Sequence, residues 1–192
     1  KVCVSFEMTR SFFDPKKVKV TGNPIRTTYP VDKKVNKLMT CKWANQSHCL
    51  IFGGSQGARA INQFVSAQYN WFIERQISVI HILGPAESIH TETPYPKFIQ
   101  TKDKKVHVAI IDYVEDMKQL YDWADYVISR SGATSIAELM MFKKPALLIP
   151  YPYATDNHQY YNAKAYIEQT GSGVLVDQKD LSVTQLDTFF KQ

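Results

Sequence analysis

Two short runs of small residues carry most of the chemistry this sequence offers. Gly53-Gly54-Ser55-Gln56-Gly57-Ala58 and Arg130-Ser131-Gly132-Ala133-Thr134-Ser135 each join an apolar run to a segment of helical periodicity. Glycine permits positive φ and close approach of the backbone to a ligand. The helix start that follows offers free N–H groups and partial positive charge to an anion. Ser55 adds a hydroxyl donor. The first run is not a GxGxxG dinucleotide fingerprint, because its glycine spacing is wrong. Nor is it a P-loop, because Lys and the Ser/Thr partner of Mg²⁺ are missing. Alone, such a run reads equally well as a strand-to-helix turn that needs glycine; two in one sheet favour a phosphate-bearing ligand.

Other residues near these runs are open to two readings. Glu138 sits one turn into the second helix. There it completes a Ser-x-x-Glu capping box with Ser135 or accepts hydrogen bonds from a ribose diol, and spacing does not separate the two. Arg26, after the Gly22-Asn23-Pro24 turn, is a surface charge or an anion contact. Asp156-Asn157-His158-Gln159 offers donors and acceptors suited to sugar hydroxyls, while Asp156 also suits a helix N-cap and His158 an exposed helix position. No Asp-x-Asp motif, metal-spaced His/Cys cluster or nucleophile elbow is present. The histidines His48, His81, His90, His107 and His158 are scattered, and His81 and His107 fall in strand-like runs. With no general base in view, the sequence reads as built to bind and not to transfer a proton alone.

These loops need a frame, and the apolar pattern supplies one. Strand-length runs occur at Cys49–Phe52, Ile77–Leu83, Val106–Ile111, Tyr126–Ile128, Ala146–Ile149 and Gly173–Val176. Most are rich in Val and Ile, and they are continuously apolar, not alternating. Between them lie helical stripes: Ala58, Ile61, Val65 and Phe72; Met117, Leu120, Tyr121 and Ala124; Ile136, Leu139 and Met140; Tyr160, Ala163 and Ile167. The expected fold is α/β, a doubly wound, Rossmann-like parallel sheet with helices on both faces. Ligands of such sheets bind beyond the carboxyl ends of the strands, which points to loops 53–57, 112–117, 129–135 and 150–159.

The 192 residues are 44% hydrophobic and 21% charged, as in a globular domain and unlike a disordered tail. No apolar run approaches the ~20 residues of a membrane-spanning helix. The start at Lys1 lacks an initiator Met and a signal-like run, and reads as the middle of something. Cys3, Cys41 and Cys49 have no CxxC spacing; a Cys41–Cys49 bridge is conceivable, but reduced thiols are expected. The net charge of +5 suits nucleic acid, anionic lipid or phosphorylated small molecules. Lys16-Lys17, Lys33-Lys34-Lys37 and Lys102-Lys104-Lys105 fall in separate expected loops without aromatic interleaving, so nucleic acid is not an expected partner.

Thr21-Gly22-Asn23-Pro24-Ile25-Arg26, Gly53–Arg59, Arg130-Ser131-Gly132-Ala133 with Glu138, and Asp156-Asn157-His158-Gln159 with Asn162-Ala163 occur in order. Together they resemble the MurG-type UDP-N-acetylglucosamine transferases, GT-B enzymes of peptidoglycan synthesis and cell-wall biogenesis. Over nearly the whole chain the resemblance implies the donor half of that fold. Residues 1–20 would end an N-terminal acceptor domain, 21–40 would be the interdomain linker, and 41–192 the C-terminal UDP-GlcNAc-binding domain, stopping short of its closing helices. It implies that Arg26, Ser55 and Gly57 meet the donor diphosphate and that Val114 recognises uracil with Met117 packing nearby. Ala133, Thr134 and Ser135 would lie against phosphate and sugar, Glu138 would hold the ribose, and His158, Gln159 and Asn162 would read the GlcNAc hydroxyls. Thr134-Ser135 departs from many relatives, and His158 replaces a Gln found in some.

Further implications are an inverting transfer of GlcNAc to lipid I, no cofactor and no metal in that step, and a general base in the N-terminal domain, not in this chain. The other implied partner is an anionic inner-membrane surface, met peripherally from the cytoplasmic face. Two alternatives stand beside this reading: the donor-binding subunit of a split dolichol-type GlcNAc transferase, and a non-catalytic nucleotide-binding module.

Overall fold

The structure, a computed structural model, describes residues 1–26, 32–85, 96–115 and 117–191. His90, Asp116 and part of the expected linker, 27–31, lie outside the described residues. The chain opens with β1 (Val2–Val4), a 3₁₀ turn (Glu7–Phe12) and β2 (Val18–Val20), the two strands pairing in parallel as Val2↔Val18 to Val4↔Val20. Helix α1 (Lys33–Met39) follows, N-capped by the Asp32 carboxylate, which accepts from Lys34 N and Val35 N.

The main sheet comprises β3 (Ser47–Phe52), β4 (Ile77–Ile82), β5 (Lys97–Gln100), β6 (Val106–Ile111), β7 (Tyr126–Ser129), β8 (Ala146–Leu148) and β9 (Val174–Leu175). Its seven strands run in the order β5-β6-β4-β3-β7-β8-β9. All neighbours are parallel except the edge pair β5/β6. Among the described residues the further helices are α2 (Arg59–Ala67), α3 (Tyr69–Glu74), α4 (Met117–Trp123), α5 (Ala133–Phe142), α6 (His158–Thr170) and α7 (Val183–Phe189).

The continuous apolar strands have a physical cause in the two cores they serve. Successive residues of a strand face opposite sides, so a strand covered on both needs no polar position. In β3, Leu50 and Phe52 join one core with Leu38 of α1, Tyr121 of α4, Leu139 of α5 and Tyr166 of α6. Cys49 and Ile51 join the other with Ile61 and Val65 of α2, Phe72 of α3 and Phe189 of α7. Each such side chain fully buried contributes about 1.5–3 kcal/mol relative to exposure. The three cysteines are free, Cys49 buried, Cys41 partly buried and Cys3 exposed.

The structure departs from the sequence expectation in several places. β5 was not expected; it is an antiparallel edge strand with only Phe98 and Ile99 apolar. Lys33, Lys34 and Lys37 lie on α1, not in a loop, because Val35 and Leu38 give that short helix a buried face. The stripe Ala58 to Phe72 is two helices, broken at Gln68 (φ −106°, ψ 9°). From β3 the chain proceeds through β4 and β6 to one side, then returns to β7, β8 and β9 on the other. The carboxyl ends of β3 and β7 thus flank the topological switch point, where such sheets leave a crevice.

Candidate functional site

A cleft of about 1050 Å³ occupies that crevice. Four of the loops singled out in the sequence line it, joined by Pro24 and Arg26 from the segment before α1 and by Gln178 from the chain after β9.

The glycine-rich loop forms the floor on the β3 side. Gly57 N donates to Gly54 O at 3.0 Å, closing the turn and leaving Ser55 and Gln56 exposed at its tip. Gly57 sits at φ +80°, and a Cβ there would lie 2.2 Å from Leu83 O. Only glycine allows this approach. The N-cap of α2, Ala58, carries no side-chain capping bond, and neither does Gly132, the N-cap of α5. Both helices therefore bring uncapped first turns to the cleft, where their N–H groups and dipoles favour an anion.

Because α5 begins at Ala133, Ser135 lies inside the helix and not at its cap, so the capping-box reading of Ser135 and Glu138 is incorrect. Glu138 lines the cleft instead, and Tyr121 donates its O–H to Glu138 Oε2 at 2.9 Å. Tyr121 is fully buried, stacked on Phe142 at 4.9 Å and edge-on to Phe52 at 6.1 Å, so the carboxylate is held by a rigid donor. Burial pushes the Glu138 carboxyl above its usual range, against the Tyr121 hydrogen bond and the Arg26 charge. The Arg26 charge thus links the first of the sequence motifs to the third.

The opposite wall is the loop after β6. Val114 is buried, Met117 partly buried, and both line the cleft with Tyr113 and Glu115. This loop hangs on α1. Lys34 Nζ pairs with Asp112 and donates to Tyr113 O at 3.4 Å, while Glu115 N donates to Asp32 Oδ2 at 3.2 Å. Burial alone would raise the Asp112 carboxyl, but hydrogen bonds from Lys34 and Tyr113 N–H and the Lys34 charge outweigh it, and its pKa is lowered. Gly84 N donates to Asp112 O at 2.8 Å, tying the same loop to the Leu83-Gly84 segment that abuts Gly57.

At the far end, buried Arg130 spans two loops. Its Nη1 donates to Ile149 O at 3.1 Å and Pro150 O at 2.8 Å, its Nη2 donates to Gln178 Oε1, and its guanidinium lies 5.4 Å from the Tyr151 ring. Burial lowers its pKa, against Tyr151, from a starting value high enough that it stays charged. Gln159 lines the cleft and accepts from Tyr151 N at 2.9 Å, while its backbone oxygen accepts from Ser131 Oγ at 2.7 Å.

Arg26, Ser55, Gly57, Val114, Met117, Ala133, Thr134, Ser135, Glu138 and Gln159 all line the cleft. His158 and Asn162 do not. His158, exposed at the first turn of α6, turns its Nδ1 to Thr155 O at 2.8 Å. Asn162 is buried and donates to Ser131 O at 3.0 Å, so it braces the second glycine loop from behind. Asp156 is not the N-cap; Asn157, in the left-handed region, holds that position without a capping bond. Sequence reasoning gave no role to Arg59, Arg130, Tyr151 or Gln178, which also line the cleft. The first three stand inside or beside quoted motifs, whereas Gln178 carries no local signal. Among the described residues no group of acidic, His or Cys side chains is placed to hold a metal, and no helix is long and apolar enough to cross a membrane.

Comparison with known proteins fits this geometry. The family model described as Glycosyltransferase family 28 C-terminal domain matches residues 48–191. The UDP-N-acetylglucosamine--N-acetylmuramyl-(pentapeptide) pyrophosphoryl-undecaprenol N-acetylglucosamine transferase of Flavobacterium psychrophilum is 36% identical over 194 residues, covering 100% of this chain and 49% of its own length. The enzyme of the same name from Lawsonia intracellularis is 35% identical over 192 residues, covering 100% and 50%. The chain spans about half the length of these curated relatives. Among solved structures, Acinetobacter baumannii MurG aligns with a TM-score of 0.66 at 23% identity, over 99% of this chain and 50% of its own. A glycotransferase of kitacinnamycin aligns at 0.60 and 14%, over 91% and 40%. These two likenesses are of fold, that of the GT-B glycosyltransferases. Sequence match, sheet order and cleft agree: the chain belongs to the glycosyltransferase family 28 C-terminal domain family.

Proposed function

We propose that this chain is the donor-binding half of a glycosyltransferase that moves GlcNAc from UDP-GlcNAc to undecaprenyl-pyrophosphoryl-N-acetylmuramyl-pentapeptide, converting lipid I to lipid II. One observation carries the reading: two uncapped helix starts, Arg26 and the Tyr121-held Glu138 converge on one cleft at the switch point. The names of the relatives supply the substrates. In this reading residues 1–20 belong with an acceptor domain, 21–40 link the two domains and 41–192 hold the donor.

Arg26, Ser55 and the N–H groups from Gly57 onward take the diphosphate. Val114 and Met117 take the uracil, and Ala133, Thr134 and Ser135 border phosphate and sugar. Glu138 accepts from the ribose hydroxyls, and Gln159 reads the GlcNAc hydroxyls, with Asn162 acting through the Ser131 loop and His158 beside Gln159 at the start of α6. The acceptor hydroxyl attacks the anomeric carbon from the face opposite the leaving group. The bond from that carbon to the diphosphate oxygen breaks, and its electron pair leaves with UDP. Preorganised N–H donors and Arg26 meet the charge that grows on the diphosphate, the kind of stabilisation typically worth about 3–4 kcal/mol per donor. The acceptor's proton goes to a base outside this chain. The protein works peripherally at the cytoplasmic face of the inner membrane, a location with which the +5 charge agrees.

The test is calorimetric titration of the purified chain with UDP-GlcNAc, against UDP-glucose and NADH, with Arg26→Ala and Glu138→Ala alongside. Preferential binding of UDP-GlcNAc, weakened by both substitutions, is expected, with no turnover of lipid I by the chain alone. A folded chain that ignores uridine nucleotides, or prefers NADH, overturns the proposal.

A further inference from the structure

Beneath the glycine-rich loop lies a polar chain that the binding cleft does not touch. His81, on β4, has no solvent exposure, yet both ring nitrogens are engaged. Nδ1 lies 2.7 Å from Tyr69 Oη and Nε2 lies 3.2 Å from Asn62 Oδ1. Asn62 in turn donates from Nδ2 to Leu83 O at 2.8 Å. That last bond fixes the direction of the whole chain. A carbonyl oxygen only accepts, so the Asn62 amide nitrogen faces Leu83 and its oxygen faces His81. Nε2–H therefore donates to Asn62 Oδ1, and Nδ1 accepts from the Tyr69 hydroxyl. Burial pulls the His81 pKa down to about 3, so the ring is neutral and holds this one tautomer.

The chain ends on a significant atom. Leu83 O is the oxygen against which Gly57 packs, the one a Cβ at position 57 would meet at 2.2 Å. Asn62 also belongs to α2, where its own N–H donates to the oxygen of the N-cap, Ala58, at 2.9 Å. Asn62 thus joins the two sides of the loop, its backbone N–H lying in the first turn of α2 and its side chain holding the carbonyl against which Gly57 packs. Tyr69, the first residue of α3 after the break at Gln68, supplies the far anchor.

We propose that Asn62, His81 and Tyr69 form a positioning device that sets the glycine-rich loop and the first turn of α2 at the height a nucleoside diphosphate requires. These are positioning residues: none of them lines the cleft. The inference rests on the donor-site reading above. Loss of the device lets Leu83 O turn and Gly57 shift, and the N–H groups of the loop then miss the phosphates while the uracil and ribose contacts stay in place. An ångström of misplacement is enough to lose such an array.

The experiment compares UDP with uridine, which lacks the phosphates the loop serves. Both are titrated into the wild-type chain and into Asn62→Leu, His81→Leu, His81→Gln and Tyr69→Phe, each first shown folded by thermal melting. Leaving the Leu83 carbonyl or its partners unpaired in Asn62→Leu and His81→Leu is expected to weaken UDP about tenfold, with uridine changed less than about twofold. Glutamine, which offers a donor and an acceptor, is expected to restore most of the loss at position 81. If the leucine variants do not fold, Tyr69→Phe decides, with about a threefold loss for UDP expected from removal of one hydroxyl. Folded variants that bind UDP like the wild type overturn the inference, as does an equal loss for UDP and uridine. A wild-type chain that binds neither ligand overturns the donor-site reading itself.

Discussion

The two walls of the cleft are held by opposite means. The glycine-rich wall rests on a neutral hydrogen-bond chain from partly buried Tyr69 through buried His81 and Asn62 to Leu83 O. The wall that carries Val114 hangs from α1 by an ion pair, Lys34 with Asp112, whose side chains are 37% and 24% exposed. Buried neutral networks resist salt but respond steeply when one partner is lost or forced to ionise. Half-exposed ion pairs are screened and contribute little. The wall assigned to the diphosphate is therefore the stiff one, and the wall assigned to the base is the softer. The Leu83-Gly84 segment touches both, through Gly57 on one side and Asp112 O on the other.

The comparison is broken most severely at Gly57. Gly57→Val places a branched side chain at φ +80° and 2.2 Å from Leu83 O. The expected cost is about 2–4 kcal/mol of stability, read by denaturant unfolding, with loss of measurable UDP binding.

Acid probes the same wall next. The folded-state pKa of His81, about 3, lies below its ordinary 6.5, so the unfolded chain binds the proton more readily. The contribution is intact above pH 6.5 and lost progressively as pH falls toward 3. The slope approaches about 1.4 kcal/mol per pH unit, or about 2 kcal/mol by pH 5. His81→Gln is expected to flatten that part of the profile, and the difference between the two profiles isolates it from the carboxylates.

Glu138 samples the joint between the walls. Glu138→Ala is expected to weaken UDP about tenfold by removing a charged acceptor, and Tyr121→Phe about threefold by freeing it. Because burial raises the Glu138 pKa, donor binding is expected to weaken as pH falls through that raised value, when the carboxylate becomes an acid. The smallest effect belongs to the outer wall. Lys34→Ala is expected to cost about 0.2–1 kcal/mol at low salt and nearly nothing at high salt, measured by melting in both. A salt-insensitive loss there would reverse the assignment of stiff and soft walls.

The parts of this design that were legible in the sequence are those written locally. β3, β4 and β6 show as predominantly apolar, non-alternating runs because both their faces are buried. The two glycine loops show because small residues are needed where the backbone itself meets the cleft. β5 and α1 did not show, since an edge strand with Lys97 and Gln100 and a helix with two buried residues carry too few apolar positions to make a period. The supports of the site are the least legible. Tyr121 reaches Glu138 across 17 positions, His81 reaches Asn62 across 19, and Lys34 reaches Asp112 across 78. The resemblance placed His158 and Asn162 beside the sugar. The fold sets Asn162 behind Ser131 and turns His158 to Thr155.

The most direct measurement is a titration of the ¹⁵N-labelled chain with UDP-GlcNAc, followed by amide chemical shifts. The largest changes are expected at Gly54 to Gly57, at Val114 and Glu115, and at Ala133 to Ser135, saturating together with one dissociation constant. Changes concentrated elsewhere, or none in a folded chain, would contradict the assignment of this cleft to the nucleotide-sugar donor.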